Sequence, residues 1–227
     1  MLTTPCHALT FFQADYDADE WITETVYEGD WLPLRELSSV LPYTVEWKDG
    51  TIYIYAERTW TIKPDWYLPE GVMIRDGVTY VSPAYMKRLV PNSFLFRTGL
   101  YVFAGETTHS ELIQGEDDFR RRVLSVMYRL KLALPEDYAL IRSCLTGGII
   151  QAEWKSWMPD GAAAYIYPGV KKPMARIVAS WASDSYLAEL IAHEAYHVYL
   201  ERQGRGSEAQ AEEYGKRVSA DLLDATR

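Results

Sequence analysis

The sequence predicts an α+β fold in two parts: a duplicated small β/α module over residues 1–112 and a mixed helix-and-sheet domain over residues 113–227. Three observations support this prediction. The first half repeats itself after 49 residues, the second half opens on an amphipathic helix, and the chain ends with two helical stretches joined by a glycine-containing turn. With 227 residues, 48% of them hydrophobic, the chain is long enough to bury a core in one or two domains.

The internal repeat covers residues 30–57 and 79–106. Three identities align the two copies at the same offset, and they are Pro42 with Pro91, Gly50 with Gly99 and Glu57 with Glu106. Each copy has the pattern of a short strand, a helix and two further strands around a glycine turn. Duplicated units of this kind pack on each other, because neither buries its apolar face alone.

Both copies resemble the N-terminal-like stalk repeat of copper amine oxidases. The resemblance rests on the segments Trp31–Leu37 and Val45–Ile54 in the first copy and on Asp76–Pro83 in the second. This repeat is not the copper-bearing catalytic part of those oxidases. The resemblance therefore implies a binding or spacer module and no chemistry.

The second half begins with an amphipathic helix over Glu116–Leu134, with arginines such as Arg122 and Arg129 on its exposed face, and Pro135 ends it. Three or four strand-like segments follow, separated by glycine and proline. These segments are Tyr138–Cys144, Ile149–Trp154, Ala162–Tyr167 and Arg176–Trp181. The prediction is a helix followed by a small mixed sheet.

The segment His193-Glu194-Ala195-Tyr196-His197 is the strongest chemical signal in the chain. It lies in a stretch without glycine or proline, Tyr186–Leu200, for which Asp184 or Ser185 is the predicted N-cap. On a helix the two histidines face one point, and two imidazoles suit zinc, with Glu194 beside them to accept a proton from water. The alternative is a pair of hydrogen-bonded core histidines with a surface glutamate.

A zinc site of this type needs a third protein ligand. Glu201 lies about 12 Å along the helix axis from His193, which is too far. The turn at residues 203–207 leads into a second helix that starts at Glu208 and runs to about Leu223. Both Glu208 and Glu212 lie on or near its inward stripe. Either can be the ligand, and the other then orients a ligand histidine through its free N–H.

Residues 116–227 resemble the gluzincin metallopeptidases, particularly their minimal members and the ImmA/IrrE-like peptidases. The run Glu208–Gly215 is similar to the family's Glu-x-x-Ala-(Asn/Asp)-x-Phe-Ala pattern, with departures at Glu212, Tyr214 and Gly215. The resemblance implies a zincin-like fold, a zinc cofactor and a peptide or protein substrate. It implies Glu208 as the ligand and Glu212 as the residue that orients a histidine, and the departures keep Glu212 open as the ligand.

The same resemblance implies that an extended peptide binds along an edge strand of the sheet, for which Arg176–Trp181 and Ala162–Tyr167 are both candidates. The reaction expected is peptide-bond hydrolysis by metal-activated water, with Glu194 as general base. A donor for the oxyanion is also needed. Tyr214, Arg217, Tyr165, Tyr167 or none of these fills that role. The competing function is a non-catalytic or regulatory zinc-containing protein whose acidic repeat module recognises a partner.

Composition and charge narrow the functional classes to which the chain can belong. Residues 1–115 carry 8 Lys+Arg against 16 Asp+Glu, and residues 116–227 carry 15 against 16, so the acidity belongs to the repeat module. No basic cluster indicates nucleic-acid binding, and no apolar run indicates a membrane span. Cys6 and Cys144 are too few for a disulfide framework. The first residues lack a signal-peptide pattern, which predicts a cytoplasmic protein, or an extracytoplasmic one if a leader was removed.

Overall fold

The computed structural model describes residues 8–64, 68–90, 92–97, 99–104, 110–156, 158 and 162–225. Helices and several small sheets alternate along the chain, which confirms the predicted α+β class. The chain divides into two compact units. The N-terminal unit is Met1–Gln13 with Ile22–Ala104, and the C-terminal unit is Ala14–Trp21 with Gly105–Arg227.

The N-terminal unit is built mainly from strands. Its elements are β1 (Ala8–Asp15), β2 (Glu20–Glu28), β3 (Leu32–Pro33), α1 (Leu34–Leu37), β4 (Thr44–Lys48), β5 (Thr51–Tyr55), β6 (Thr59–Ile62), β7 (Val72–Arg75), β8 (Val78–Val81), α2 (Pro83–Leu89), β9 (Ser93–Phe96) and β10 (Gly99–Phe103). They form three sheets with the orders β2-β1-β10-β9, β3-β8-β7 and β4-β5-β6. The last residues of β1 and the first of β2 belong to the C-terminal unit.

The two copies of the repeat have the same order of elements. Strand β3, helix α1 and strands β4 and β5 in the first copy correspond to β8, α2, β9 and β10 in the second. Leu32 and Val81, which occupy equivalent positions in the two copies, pair with each other across the antiparallel strands β3 and β8. Equivalent residues meet in an antiparallel ladder when a local two-fold axis relates the copies. Pro91 and Glu106, which help to align the repeat, lie outside the described residues.

Tight turns and a shared core stabilise this unit. Asp49 and Gly50 have φ values of +50° and +73° and connect β4 to β5, as a two-residue hairpin turn requires. Buried side chains from both copies, among them Leu34, Ile54 and Met86, form one hydrophobic core. The duplication therefore buries the apolar faces that neither copy could bury alone.

The C-terminal unit places helices around a four-stranded sheet. Its elements are β11 (Ile113–Gln114), α3 (Asp117–Ala133), α4 (Pro135–Cys144), β12 (Gly148–Gln151), β13 (Ala164–Tyr165), β14 (Met174–Ile177), α5 (Asp184–Arg202) and α6 (Glu208–Ala225). The strand order is β11-β12-β14-β13; the first three strands are parallel and β13 runs antiparallel at one edge. Of the helices in the described residues, none is both long and apolar enough to cross a membrane.

The prediction of a strand over Tyr138–Cys144 is wrong, because these residues belong to helix α4. Pro135 is the first residue of this helix, where a proline needs no hydrogen-bonding partner for its nitrogen. The buried residues of α4 are Tyr138, Ile141 and Cys144, spaced three apart as on one face of a helix. Of the other three predicted strand segments, Ala162–Tyr167 contains β13, whereas Ile149–Trp154 and Arg176–Trp181 only overlap β12 and β14.

Residues 14–21 pack with the C-terminal unit, although they lie far from it in sequence. The ring of Trp21 stacks on Tyr128 of α3 with centroids 4.8 Å apart. Asp19 accepts hydrogen bonds from Lys131 Nζ (3.2 Å) and from the hydroxyl of Tyr138. These residues therefore add polar and aromatic contacts to α3 and α4.

Candidate metal centre

Helix α5 carries the two histidines and is buried on most sides. It begins at Asp184, and its N-cap is Ser183, whose Oγ accepts a hydrogen bond from the N–H of Tyr186 (3.3 Å). The prediction of Asp184 or Ser185 as the cap is therefore off by one residue or more. The carboxylate of Asp184 instead pairs with two arginines of α3, at 3.1 Å from Arg122 Nε and 3.4 Å from Arg129.

These arginines correct a second expectation. Arg129 was expected on an exposed face, but it is only 8% exposed. Arg122 also donates hydrogen bonds to the carbonyl oxygens of Ser180 (2.7 Å) and Ala182. The chain just before α5 presents these carbonyls, and the first residue of α5 presents a carboxylate. Two arginines of an otherwise amphipathic helix therefore turn inward and fix the start of the histidine-bearing helix.

Helix α6 is held against α5 by a close approach at Gly215. A Cβ atom added there would lie 2.8 Å from the carbonyl oxygen of Glu189 and 3.1 Å from the Cβ of His193. The helix begins at Glu208, and the Oγ of Ser207 accepts a hydrogen bond from the N–H of Gln210 (3.2 Å), as expected of the predicted cap. The position of α6 places Glu208 beside the histidines.

The side chains of His193, His197 and Glu208 converge on one point. The two Nε2 atoms are 3.0 Å apart, and the carboxylate oxygens of Glu208 lie 3.3 Å from His193 Nε2 and 3.2 Å from His197 Nε2. Ligand atoms placed tetrahedrally at the usual zinc distances lie about 3.3 Å from one another. The separations and the nitrogen–oxygen donor set therefore fit a zinc ion held by these three residues.

Glu194 lies beside this triad and is 4% exposed. Burial, together with the nearby negative charge of Glu208, raises the pKa of Glu194 to about 8. A divalent cation at the triad acts in the opposite direction, because it favours the charged carboxylate. Glu194 is therefore a buried carboxyl group beside the triad, which is the position that a general base or acid needs.

A cavity of about 580 Å³ opens on the triad and on Glu194. Residues 162–166 form part of its wall and include the edge strand β13. Strand β14, which shares only its last two residues with the predicted segment Arg176–Trp181, lies inside the sheet between β12 and β13. The N–H of Val178 donates to the carbonyl of Ala163 (2.8 Å), so the alternation along a strand points the backbone groups of Ala164 to the open edge. Of the two candidate strands, the one over Ala162–Tyr167 is the edge strand at the cavity.

The other predicted residues lie in different surroundings. Glu212 lines the cavity, but its carboxylate accepts a hydrogen bond from Lys216, and among the described residues it bonds neither histidine. Tyr214 is not part of the cavity wall: its hydroxyl donates to Asp137 Oδ1 (2.8 Å), and its ring stacks on Tyr196 at 4.3 Å. The structure therefore directs Tyr214 away from the triad, towards helix α4.

The remaining candidates for an oxyanion donor also differ in whether they line the cavity. Arg217 pairs with Asp137 and with Asp221 (3.0 Å). Tyr165 lines the cavity, and Tyr167 does not. Tyr186 and Glu189 also line it and were missed by the sequence analysis. Helical periodicity is the signal that could have found them, because they lie seven and four residues before His193 on the same face.

Comparisons with protein-family models, with curated proteins and with solved structures found no match to this chain. Three features of the residues themselves therefore support a metal centre. They are the convergence of three ligand-type side chains, the buried glutamate beside them and the cavity that exposes both.

Proposed function

We propose that the protein is a zinc-dependent metallopeptidase of the gluzincin type. The observation that supports this most is the convergence of His193, His197 and Glu208 with the buried Glu194 at their side. Burying a charged carboxylate costs free energy unless an opposite charge or a hydrogen bond compensates for it. A metal ion at the triad would supply that opposite charge, and Glu194 would then be placed to transfer protons.

In this proposal, His193, His197 and Glu208 hold the ion. When bound, zinc supplies a Lewis acid that activates water and polarises a carbonyl. Glu194 accepts a proton as the water oxygen bonds to the peptide carbonyl carbon, and it passes that proton to the leaving amine as the carbon–nitrogen bond breaks. Helices α5 and α6 hold the four side chains rigidly, because Gly215 allows the two backbones to approach closely.

The substrate in this proposal is a peptide or protein bound in extended form along β13. The backbone groups of Ala164 point to the open edge and can pair with those of an added strand. Residues 162–166, the triad and Glu194 all line the same cavity. Strand addition there would therefore bring a peptide bond close to both.

The variant Glu194→Gln tests the catalytic part of the proposal. We expect it to retain zinc and to lose at least about a hundredfold in cleavage rate, because general base catalysis contributes at that level. Glu213→Gln is the matched control, since it makes the same chemical change at an exposed position of α6 outside the cavity. A cleavage rate in Glu194→Gln equal to that of Glu213→Gln rules out Glu194 as the base.

A second candidate is a regulatory or non-catalytic zinc protein whose acidic N-terminal module recognises a partner. It is favoured by the position of Tyr214, whose hydroxyl is engaged by Asp137 instead of facing the triad. The two candidates differ in turnover. Hydrolysis of casein-like substrates by the zinc-loaded protein supports the peptidase, and a full complement of zinc without cleavage supports the regulator.

A further inference from the structure

Four glutamates line the cavity beside the candidate metal centre, and three of them have a contact or a proposed role. Glu208 faces the two histidines, Glu194 is the proposed base, and Glu212 accepts a hydrogen bond from Lys216. Glu189 is the fourth. Among the described residues no lysine or arginine forms an ion pair with it, and the cavity wall contains neither of these residue types.

Glu189 is placed to act on a molecule bound at the metal centre. It precedes His193 by four residues, so it lies on the same face of α5 at about 6 Å along the helix axis. Its side chain begins beside Gly215, since a Cβ on Gly215 would lie 3.4 Å from Glu189 Cγ. Glu189 therefore lines the cavity one helical turn from His193.

Lys216 is a cation close to Glu189, but it forms its ion pair with Glu212. The pKa of Lys216 is raised first by its hydrogen bond to Glu212 and least by the charge of Glu189. Glu212 and Lys216 lie four residues apart on α6, the spacing at which a glutamate and a lysine pair on a helix. The carboxylate of Glu189 can therefore accept a hydrogen bond from a positively charged group of a ligand.

The cavity that Glu189 lines also has apolar residues in its wall. Ala162, Ile166, Pro168 and Leu190 line the same cavity, and Tyr186 adds an aromatic ring. A cavity that combines apolar residues with a carboxylate suits the aliphatic stem and the charged head of a lysine or arginine side chain. It excludes an acidic side chain, which would meet Glu189 with like charge.

We infer that Glu189 selects substrates that carry a cationic group next to the cleaved bond. The cation is a lysine or arginine side chain or the N-terminal ammonium of the peptide, because both present N–H donors to a carboxylate. This inference rests on the proposed function, since it takes the peptide to lie along β13 with the cleaved bond at the triad. Glu189 determines specificity in it and transfers no proton.

Binding to the zinc-loaded Glu194→Gln protein tests the inference without turnover. The probes are short alanine-rich peptides, capped at both ends, with Arg, Leu or Glu at the central position, and the Leu peptide with a free N-terminus. By calorimetry we expect the Arg peptide, the uncapped Leu peptide or both to bind about tenfold more tightly than the capped Leu peptide. The tighter probe identifies the source of the cation.

Two changes at Glu189 and one control change, each added to the same protein, assign the preference to Glu189. Adding Glu189→Gln should remove it, and adding Glu213→Gln, the same change outside the cavity, should not. Adding Glu189→Lys should shift the preference from the Arg peptide to the Glu peptide. Zinc content is measured for each variant, so that a loss of metal is not mistaken for a loss of specificity.

Equal binding of all four peptides, or a preference that survives both changes at Glu189, overturns the inference. An equal loss of affinity for every peptide in Glu189→Gln also overturns it, because that result indicates packing and not charge recognition. Failure of the proposed function looks different. In that case the zinc-loaded unmodified protein binds the preferred peptide through Glu189 and does not cleave it.

Discussion

The two units of the chain differ in what they bury. In the N-terminal unit, the buried polar residues of the described segments are Thr10 and Thr51, whereas the C-terminal unit buries the charged residues Arg129 and Glu194. Burying a threonine costs little once its hydroxyl is bonded, and burying a charge costs much more. The difference agrees with the proposal, in which the second unit carries the chemical site and the first is a binding or spacer module.

Removing the metal should give the largest difference between the units. If zinc is present at about a thousand times its Kd, its loss costs the folded protein about 4 kcal/mol. We expect a chelator to speed amide hydrogen exchange in α5 and α6 and to leave β4 and β5 unchanged. Hydrogen exchange by mass spectrometry measures both. His193→Ala is the control, and a chelator effect that persists in it contradicts a metal held at the triad.

Shortening a core side chain in the N-terminal unit should lower the stability of that unit and leave the metal centre unchanged. Leu32 is fully buried and pairs with its repeat equivalent, so Leu32→Ala should lower the free energy of unfolding by about 3 kcal/mol, measured by urea denaturation. Zinc content should stay the same. Leu223→Ala makes the same change at a residue that is 42% exposed and should have a small effect. Loss of zinc in Leu32→Ala would show that the units are not separable.

Adding a side chain at Gly215, where α5 and α6 are in contact, should give the third largest effect. Gly215→Ala places a methyl group 2.8 Å from the Glu189 carbonyl oxygen, so α6 must shift and carry Glu208 with it. We expect about 2 kcal/mol lower stability and about tenfold weaker zinc binding, measured by competition with a chelating dye. Gly206→Ala is the matched control, because nothing lies within 4 Å of its added Cβ. Equal zinc affinity in the two variants would contradict this role for Gly215.

The cap of α5 gives the smallest effect. Ser183→Ala removes the acceptor for the N–H of Tyr186 and should lower stability by about 1 kcal/mol. Ser185→Ala is the comparison, since Ser185 was a predicted cap that the structure places inside the helix. Thermal unfolding measures both variants. A larger loss in Ser185→Ala than in Ser183→Ala would contradict the cap assigned here.

The local features of the site could be predicted from the sequence. The stretch around His193 has no helix breaker and few polar residues, and the glycine turn before Ser207 leaves room for only one reversal of the chain. These properties act over a few residues, so the pattern alone predicts both helices. The structure brings Glu208 to the histidines, and Glu212 pairs with Lys216 instead.

The features that the sequence could not predict depend on distant contacts. The hydrogen bond from Tyr214 to Asp137, which decides where that hydroxyl points, joins two helices that are far apart in sequence. Helix α4 is a different case, because its local signals, Pro135 at the first position and an acidic first turn, were present and Pro135 was interpreted only as a helix end. The choice of the edge strand over Ala162–Tyr167 required the order of strands, which local periodicity does not contain.

Zinc content tests the central claim most directly. Elemental analysis of the full-length protein, purified without chelator, should find about one equivalent of zinc in the unmodified chain and in Glu212→Gln. It should find little in His193→Ala, His197→Ala and Glu208→Gln. Less than about half an equivalent in the unmodified protein, or the same content in Glu208→Gln as in Glu212→Gln, would contradict a zinc site formed by these three residues.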